Sequence, residues 1–295
     1  MISDPRISQI LVETGGYRDV PPVLLTSGEV GIYYINTEKI AQDDGEFNRF
    51  GDDSGAMITH AIKMVEEHPS FGEVIDRVSE SVKSILYATR TDCDTLIISG
   101  GQRRDWLFSG PVAAKLDLLH ASIYKDGEIE VVNPHDGKKR DFSLGGVHAF
   151  HVADLLTEGS SFYRLENDIE RGWVPALRNQ GAEIRDAVVI VTRLQGGEEM
   201  LAKQGVNVHS FVAIDEDFLR THSGRSEIAV AYQRNPSEWT EAYLRENGAL
   251  AFVDAFNPAG GKQDRAMKFL QRYGGVLKDS GHWDALHEAV TQKFG

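Results

Sequence analysis

From Ser54 to Glu67 the apolar residues Met57, Ile58, Ala61, Ile62 and Val65 recur at helical spacing, so "SGAMITHAIKMVEE" is predicted to be a helix with one buried face. After Pro69 a second stripe runs through Phe71, Val74, Ile75, Val78, Val82, Ile85 and Leu86 and predicts another helix. The pattern then changes. "DTLIISGG" (Asp94–Gly101), "VHAFHVADLL" and "DAVVIVTR" (Asp186–Arg193) are short apolar runs of the length and composition of buried strands, and "VHSFVAI" is a further one. Between them "WLFSGPVAAKLDLL" and "GGEEMLAKQG" are predicted helices, and "HASIYKDG" is a short strand and turn. "SFYRLENDIERGWVPALRNQG" is expected to be helical in parts, bent or broken at Gly172 and Pro175.

Short strands alternating with helices predict an α/β fold built on a parallel sheet with helices on its faces. In such sheets ligands sit beyond the carboxyl ends of the strands. Polar chemistry is concentrated at three of those ends: Gly100–Arg104, Asp154–Ser161 and Arg193. After about Asp215 the strand signals stop, and "PSEWTEAYLREN", "KQDRAMKFLQRYGG" and "HWDALHEAVTQKF" read as helices. The expected organisation is a first domain over residues 1–215 and a mostly helical extension over 216–295.

Composition narrows the partners. The 295 residues are 41% hydrophobic and 26% charged, enough to bury a sizeable core. A formal net charge of −14 opposes general binding to nucleic acid or anionic membranes, while leaving room for a small anion held by local N–H groups. The single cysteine, Cys93, forms no internal disulfide and fits a reducing cytoplasm. No signal-peptide pattern and no apolar run of roughly 20 residues is present, so neither export nor a membrane span is expected.

The loop after "HVADLL" invites two readings. Thr157, Gly159, Ser160 and Ser161 are ordinary turn formers. They are also the residues that bring backbone N–H groups and hydroxyls to a phosphate, with Asp154 upstream to accept from sugar hydroxyls.

Four segments in order carry a resemblance. "PPVLLTSGEVGIYYIN", "DTLIISGGQRRDWLFSGPVAAKL", "HVADLLTEGSS" and "AVVIVTRLQGGEEMLAKQGVNVHSFVAI" resemble the N-terminal hood, pyrophosphate loop, phosphoribosyl-diphosphate motif and closing strands of type I phosphoribosyltransferases, the orotate enzymes in particular. The resemblance implies that fold, with a hood over about residues 1–90, and transfer of a phosphoribosyl group from a phosphoribosyl diphosphate donor to a nucleobase, orotate favoured. Asp154 matches the catalytic acid on the ribose hydroxyls, and Thr157, Glu158, Gly159, Ser160 and Ser161 match the sugar-phosphate loop. Gly100, Gly101 and Arg104 match the pyrophosphate site, and Arg193, Thr26, Ser27, Tyr33 and Tyr34 the residues around the base. The resemblance also implies Mg²⁺ held by ligand oxygens and water, no dedicated protein metal site, and a homodimer.

The chain departs from the family pattern at defined places. Ala153 replaces the first acid, Glu158 the second threonine, Asp105 a glycine of the pyrophosphate loop, and Glu29 a basic residue of the hood. The basic mobile loop is absent, with Lys125, Lys138, Lys139 and Arg140 the available cations in its region. Three functions follow: a transferase acting on orotate, a degenerate member that binds nucleotide or donor without turnover, and a transferase for a different base. His148 and His151, three apart on a strand, face opposite sides and are assigned structural roles. His282 and His287 are treated likewise. The acidic "QDDGEFNRFGDDSG" lacks calcium-loop spacing and is assigned to a solvated loop, and Trp106, Trp173, Trp239 and Trp283 to packing.

Overall fold

A seven-stranded sheet carries the first of two units into which the chain divides. A computed structural model describes residues 4–25, 28–42, 45–88, 95–257 and 263–294, the side chains of 263 and 264 excepted. Cys93, Thr26 and Ser27 lie outside the described residues. The first unit comprises Met1–Gly16 and Asn36–Ile214, the second Tyr17–Ile35 and Asp215–Gly295.

The first unit begins with helix α1 (Pro5–Glu13), whose start is fixed by Asp4 Oδ1 accepting the N–H groups of Arg6 and Ile7. In the second unit, strands β1 (Tyr17–Leu24) and β2 (Val30–Ile35) form an antiparallel pair. Helices α2 (Glu38–Ala41), α3 (Ser54–Glu67) and α4 (Pro69–Ala88) follow in the first unit, the last two as the apolar stripes predict. Asp53, within the segment assigned to a solvated loop, caps α3 by accepting from Ala56 N–H, and Phe47 nearby is buried.

Strand β3 (Leu96–Gly101) leads into helix α5 (Arg104–Lys115). Strands β4 (His120–Ile123), β5 (Ile129–Asn133) and β6 (Lys138–Lys139) come next, then β7 (His148–Leu156). Strands β8 (Arg164–Glu166) and β9 (Ile169–Arg171) form a small exposed hairpin before helix α6 (Trp173–Asn179). The segment expected to be helical in parts is helical only after Gly172, and its earlier part forms the hairpin. Pro175 sits in the first turn of α6, where its missing N–H is tolerated. Strand β10 (Glu183–Thr192), helix α7 (Gly197–Lys203) and strand β11 (Asn207–Ala213) complete the unit.

The sheet order is β11-β10-β7-β3-β4-β5-β6. Strands β11, β10, β7, β3 and β4 run parallel, as the alternation predicts; β5 and β6 add an antiparallel edge. From β3 the chain steps to β4 on one side, then crosses back to β7 on the other. Strands β3 and β7 therefore flank the point where strand order reverses, the place where a parallel sheet opens a crevice beyond its carboxyl ends. Ile97, Ala149, Ala153, Ala187 and Val189 from the central strands share a core with Trp173, Val174 and Leu177 of α6.

In the second unit β1 and β2 pack with helices α8 (Glu216–His222), α9 (Ser226–Arg234), α10 (Pro236–Asn247), α11 (Gln263–Asp279) and α12 (Trp283–Phe294). An isolated two-stranded ribbon buries too little to be stable. Here Leu24 and Val30 join Leu244, Phe252, Phe269, Tyr273 and Leu277 in one core. The Asp19 carboxylate accepts from Ser223 Oγ at 2.9 Å and Gly224 N at 2.8 Å. The structure thus groups residues 17–35 with the C-terminal helices, whereas the sequence places them in the first domain. Among the described residues no helix is long and apolar enough to cross a membrane.

Trp106 ties the core to the crevice. It is fully buried on α5, and its Nε1–H donates to Gly100 O at 2.9 Å. We expect Trp106→Phe, which keeps most of the volume and removes this N–H donor, to lose about 1 kcal/mol of unfolding free energy. Trp106→Ala should lose about 3–5 kcal/mol. Urea denaturation of both variants checks this, and a Phe variant as stable as the wild type would show that the hydrogen bond contributes nothing.

Candidate functional site

Two loops meet at the strand-order reversal, one after β3 and one after β7. Asp154 lies inside β7, two residues before its end, and is buried. Its Oδ2 accepts from Thr37 Oγ1 at 2.6 Å, and Arg104 Nε lies 3.8 Å from the same oxygen. Arg104 also lies 3.7 Å from Glu38. The sequence-predicted pair Asp154 and Arg104 is therefore brought together.

Asp105, seen in the sequence only as a departure, is the hub of this site. Near the start of α5, it accepts from Gly101 N–H through Oδ2 and from Asp154 N–H through Oδ1, both at 2.9 Å. One carboxylate thus bridges the ends of β3 and β7. His151 Nε2 stands 3.7 Å from Asp105 Oδ2, and its Nδ1 pairs with Ser99 Oγ at 3.0 Å. Burial raises the Asp105 carboxyl, but His151 and the Asp154 N–H outweigh it and hold the group below the usual carboxylate range. Burial first, then the charge of Asp105, pushes Asp154 up to about 7.

Beneath this pair runs a polar network that sequence reasoning missed. Ser109 Oγ donates to Asp105 O at 2.9 Å and lies 2.8 Å from His120 Nε2; His120 Nδ1 lies 2.9 Å from Ser122 Oγ. Burial, with His151 nearby, drives the His120 ring down to about 3, so it is neutral. The available signal was polar residues inside apolar strands: Ser99, His120, Ser122 and His151 are all fully buried.

The glycines of the β3 loop are packing requirements. A Cβ on Gly100 would lie 2.1 Å from Ser109 Oγ, and one on Gly101 would lie 2.2 Å from Trp173 Cε2. Trp173, assigned to packing, lies against the loop predicted to take pyrophosphate.

The β7 loop is built differently. Thr157 O accepts from Gly197 N–H, Gly159 O from Phe162 and Tyr163 N–H, and Ser160 O from the Arg164 guanidinium. A carbonyl and the following N–H point opposite ways across one peptide plane. These contacts therefore turn the N–H groups of Glu158, Ser160 and Ser161 away from their anchors. Among the described residues, the N–H groups of Glu158, Gly159, Ser160 and Ser161 have no acceptor. Gly159 adopts φ +79° and lies against Gly197, with a Cβ there only 2.2 Å from Met200 Cε. No helix begins directly behind this loop. The hairpin of β8 and β9 intervenes, and the first N–H groups of α6, from Trp173 and Val174, are bonded to Ser161 O and Phe162 O. Glu158 is exposed.

Arg193 follows β10 and is half-buried, its N–H bonded to Leu156 O at the end of β7. Tyr33 and Tyr34 belong to the other unit. Tyr33 is buried there, its hydroxyl 2.5 Å from Gln233 Oε1 and its ring against Tyr17 and Tyr232, so it is a core residue rather than an open platform for a base. Tyr34 is exposed, with the Arg18 guanidinium over its ring. Of the cations near the missing basic loop, Lys139 pairs with Glu130 and Arg140 with Asp136 at the antiparallel edge.

A metal held by protein side chains does not fit this site. Among the described residues no three His, Cys, Asp or Glu side chains form a metal-binding group, and both Asp105 oxygens already accept N–H bonds.

The Asp154 carboxyl titrates near 3.9 in an unfolded chain and about 7 here, so the folded state holds its proton longer. Its contribution to stability is complete below about 4 and is lost as the pH rises to about 7. Asp154→Asn removes the ionisation, and its unfolding free energy relative to wild type should therefore rise between pH 5 and pH 8 by on the order of 2 kcal/mol. Urea titrations at the two pH values measure this; a flat or falling difference would mean that Asp154 is ionised throughout.

No family profile matches the chain. It is 23% identical over 220 residues to the orotate phosphoribosyltransferase of Methanopyrus kandleri, covering 72% of this chain and 90% of the relative. It is 24% identical over 197 residues to that of Saccharolobus solfataricus, covering 65% and 76%. Among solved structures, orotate phosphoribosyltransferase from Aeropyrum pernix superposes with a TM-score of 0.49 at 17% identity, over 73% of this chain and 98% of that one. By sequence, then, this chain is similar to orotate phosphoribosyltransferases across most of its length.

Proposed function

We propose that the chain is a phosphoribosyltransferase that moves a phosphoribosyl group from phosphoribosyl diphosphate to a nucleobase, with orotate as the acceptor. The observation that carries this is the run of four N–H groups, 158–161, left without acceptors beside the buried Asp154 at the strand-order reversal. A fixed set of such donors, with the Thr157, Ser160 and Ser161 hydroxyls, is suited to a 5′-phosphate. Asp154 faces the ribose hydroxyls and the charge that develops on the sugar, its carboxylate oriented by Thr37 and Arg104. Arg193, at the end of the neighbouring strand, reaches the base.

A base nitrogen forms the bond to the anomeric carbon as the bond to pyrophosphate breaks, and the protein contributes positioning and electrostatics. When bound with the donor, Mg²⁺ supplies charge neutralisation at the leaving diphosphate. The similarity to the orotate enzymes supports the acceptor, the single cysteine supports a cytoplasmic setting, and a homodimer belongs to the same reading. A second reading, nucleotide or donor binding without turnover, is favoured by Lys139 and Arg140 being committed to ion pairs.

Pyrophosphate release is measured with phosphoribosyl diphosphate, Mg²⁺ and a panel of bases. Turnover with orotate is expected; turnover with another base alone changes the acceptor, binding without turnover favours the second reading, and absence of binding removes both. Gly159→Ala, strained at its positive φ and crowding the Gly197 backbone, should weaken nucleotide binding about tenfold or more. Glu158→Thr removes an exposed anion beside the loop and should tighten phosphate binding roughly threefold; unchanged affinity would place that carboxylate away from the ligand.

A further inference from the structure

The two loops at the strand-order reversal differ in one respect that bears on the ligand. After β7, four successive N–H groups await an acceptor among the described residues. After β3, the Gly101 N–H goes to Asp105 Oδ2 and the Gln102 N–H to Ile123 O. The Gln102 side chain is held on both sides, its Nε2 by Asp52 and its Oε1 by Lys125 N–H. Arg103 donates to Gly51 O at 3.2 Å and Asn48 Oδ1 at 3.1 Å. The remaining loop cation, Arg104, stands within 4 Å of both Glu38 and Asp154. Trp173 covers Gly101 from the side.

We propose that Asp105 is an internal anion occupying the anion position of the β3 loop, so that the site accepts one phosphoryl group and takes a pyrimidine nucleoside 5′-monophosphate in preference to phosphoribosyl diphosphate. This rests on the phosphoribosyl reading above and names which ligand of that site the resting protein prefers. A diphosphate brought to this loop meets a buried carboxylate that already holds its N–H group, with Asp154 and Glu38 close by and Arg104 the cation shared between them. Like charges in such a low-dielectric setting repel strongly. The 5′-phosphate at residues 158–161 meets no such competitor in the backbone. Asp105 also cannot leave without freeing the Asp154 N–H, so donor loading disturbs the catalytic strand while mononucleotide binding does not. Asp105 is in this sense a specificity-determining residue, and donor loading is the weak step of the reaction.

Isothermal titration of the full chain with uridine 5′-monophosphate, phosphoribosyl diphosphate and inorganic pyrophosphate tests this, on the wild type and on Asp105→Asn. The wild type is expected to bind the monophosphate at least tenfold more tightly than the diphosphate donor, with pyrophosphate failing to displace the monophosphate. Asp105→Asn should raise the affinity for the donor about tenfold relative to that for the monophosphate. Equal wild-type affinities for monophosphate and donor, or an unchanged ratio in a folded Asp105→Asn, overturn the proposal and leave the transferase reading standing. Failure of both ligands to bind the wild type overturns both. Asparagine can accept only one of the two N–H bonds through its oxygen, so circular dichroism accompanies the variant. If it does not fold, the wild-type ratio and the pyrophosphate competition still decide the outcome.

Discussion

Asp105 sends one carboxylate oxygen to the end of each of two neighbouring strands, and the geometry of the crevice depends on that bridge. A buried N–H without an acceptor is destabilising by about 1–3 kcal/mol. Both Gly101 and Asp154 offer such a group near the end of a buried strand. The carboxylate satisfies both and in doing so fixes the spacing of the β3 loop relative to β7. Its own charge is tolerated because it accepts two N–H bonds and has His151 within 4 Å. The cost falls on Asp154, whose ionisation is opposed by burial and by the charge of its neighbour. A structural device thereby sets the electrostatics of the candidate catalytic acid.

The two loops show two ways of treating backbone polarity at the end of a parallel sheet. After β3 the chain supplies its own anion. After β7 it anchors carbonyls instead, to Gly197, to its own turn and to Arg164, which leaves the opposite edges of those peptide planes open. The open N–H groups at 158–161 therefore belong to individual peptide units, because α6 begins only after an intervening hairpin and its first N–H groups are already bonded. Gly159 and Gly197 allow the close approach of loop and α7 on which this arrangement rests.

Much of the first unit was legible in the sequence. The helical stripes after Ser54 and Pro69 and the apolar runs around Ile97, Val152 and Val189 each announce their element by local periodicity, because burial of one helix face or of a central strand imposes it. The place of Asp154 near a strand end, with a glycine-containing turn after it, follows from the same pattern. The hairpin of β8 and β9 did not, since all of its residues are exposed and no burial imposes a period on them.

What the tertiary structure alone decided depends on partners far apart in the chain. Asp105 and Asp154 are 49 positions apart, so their bridge leaves no local signature, and the aspartate in place of a loop glycine reads in the sequence only as a departure. Asp19 and Ser223 are 204 apart, and contacts of that kind draw residues 17–35 into one unit with the C-terminal helices and bury Tyr33 there. The sequence by itself determined which segments become strands and helices, because periodic burial is a local property. Which N–H groups are satisfied internally and which remain for a ligand was decided by folding, because a hydrogen bond is assigned only when both partners have been brought into place.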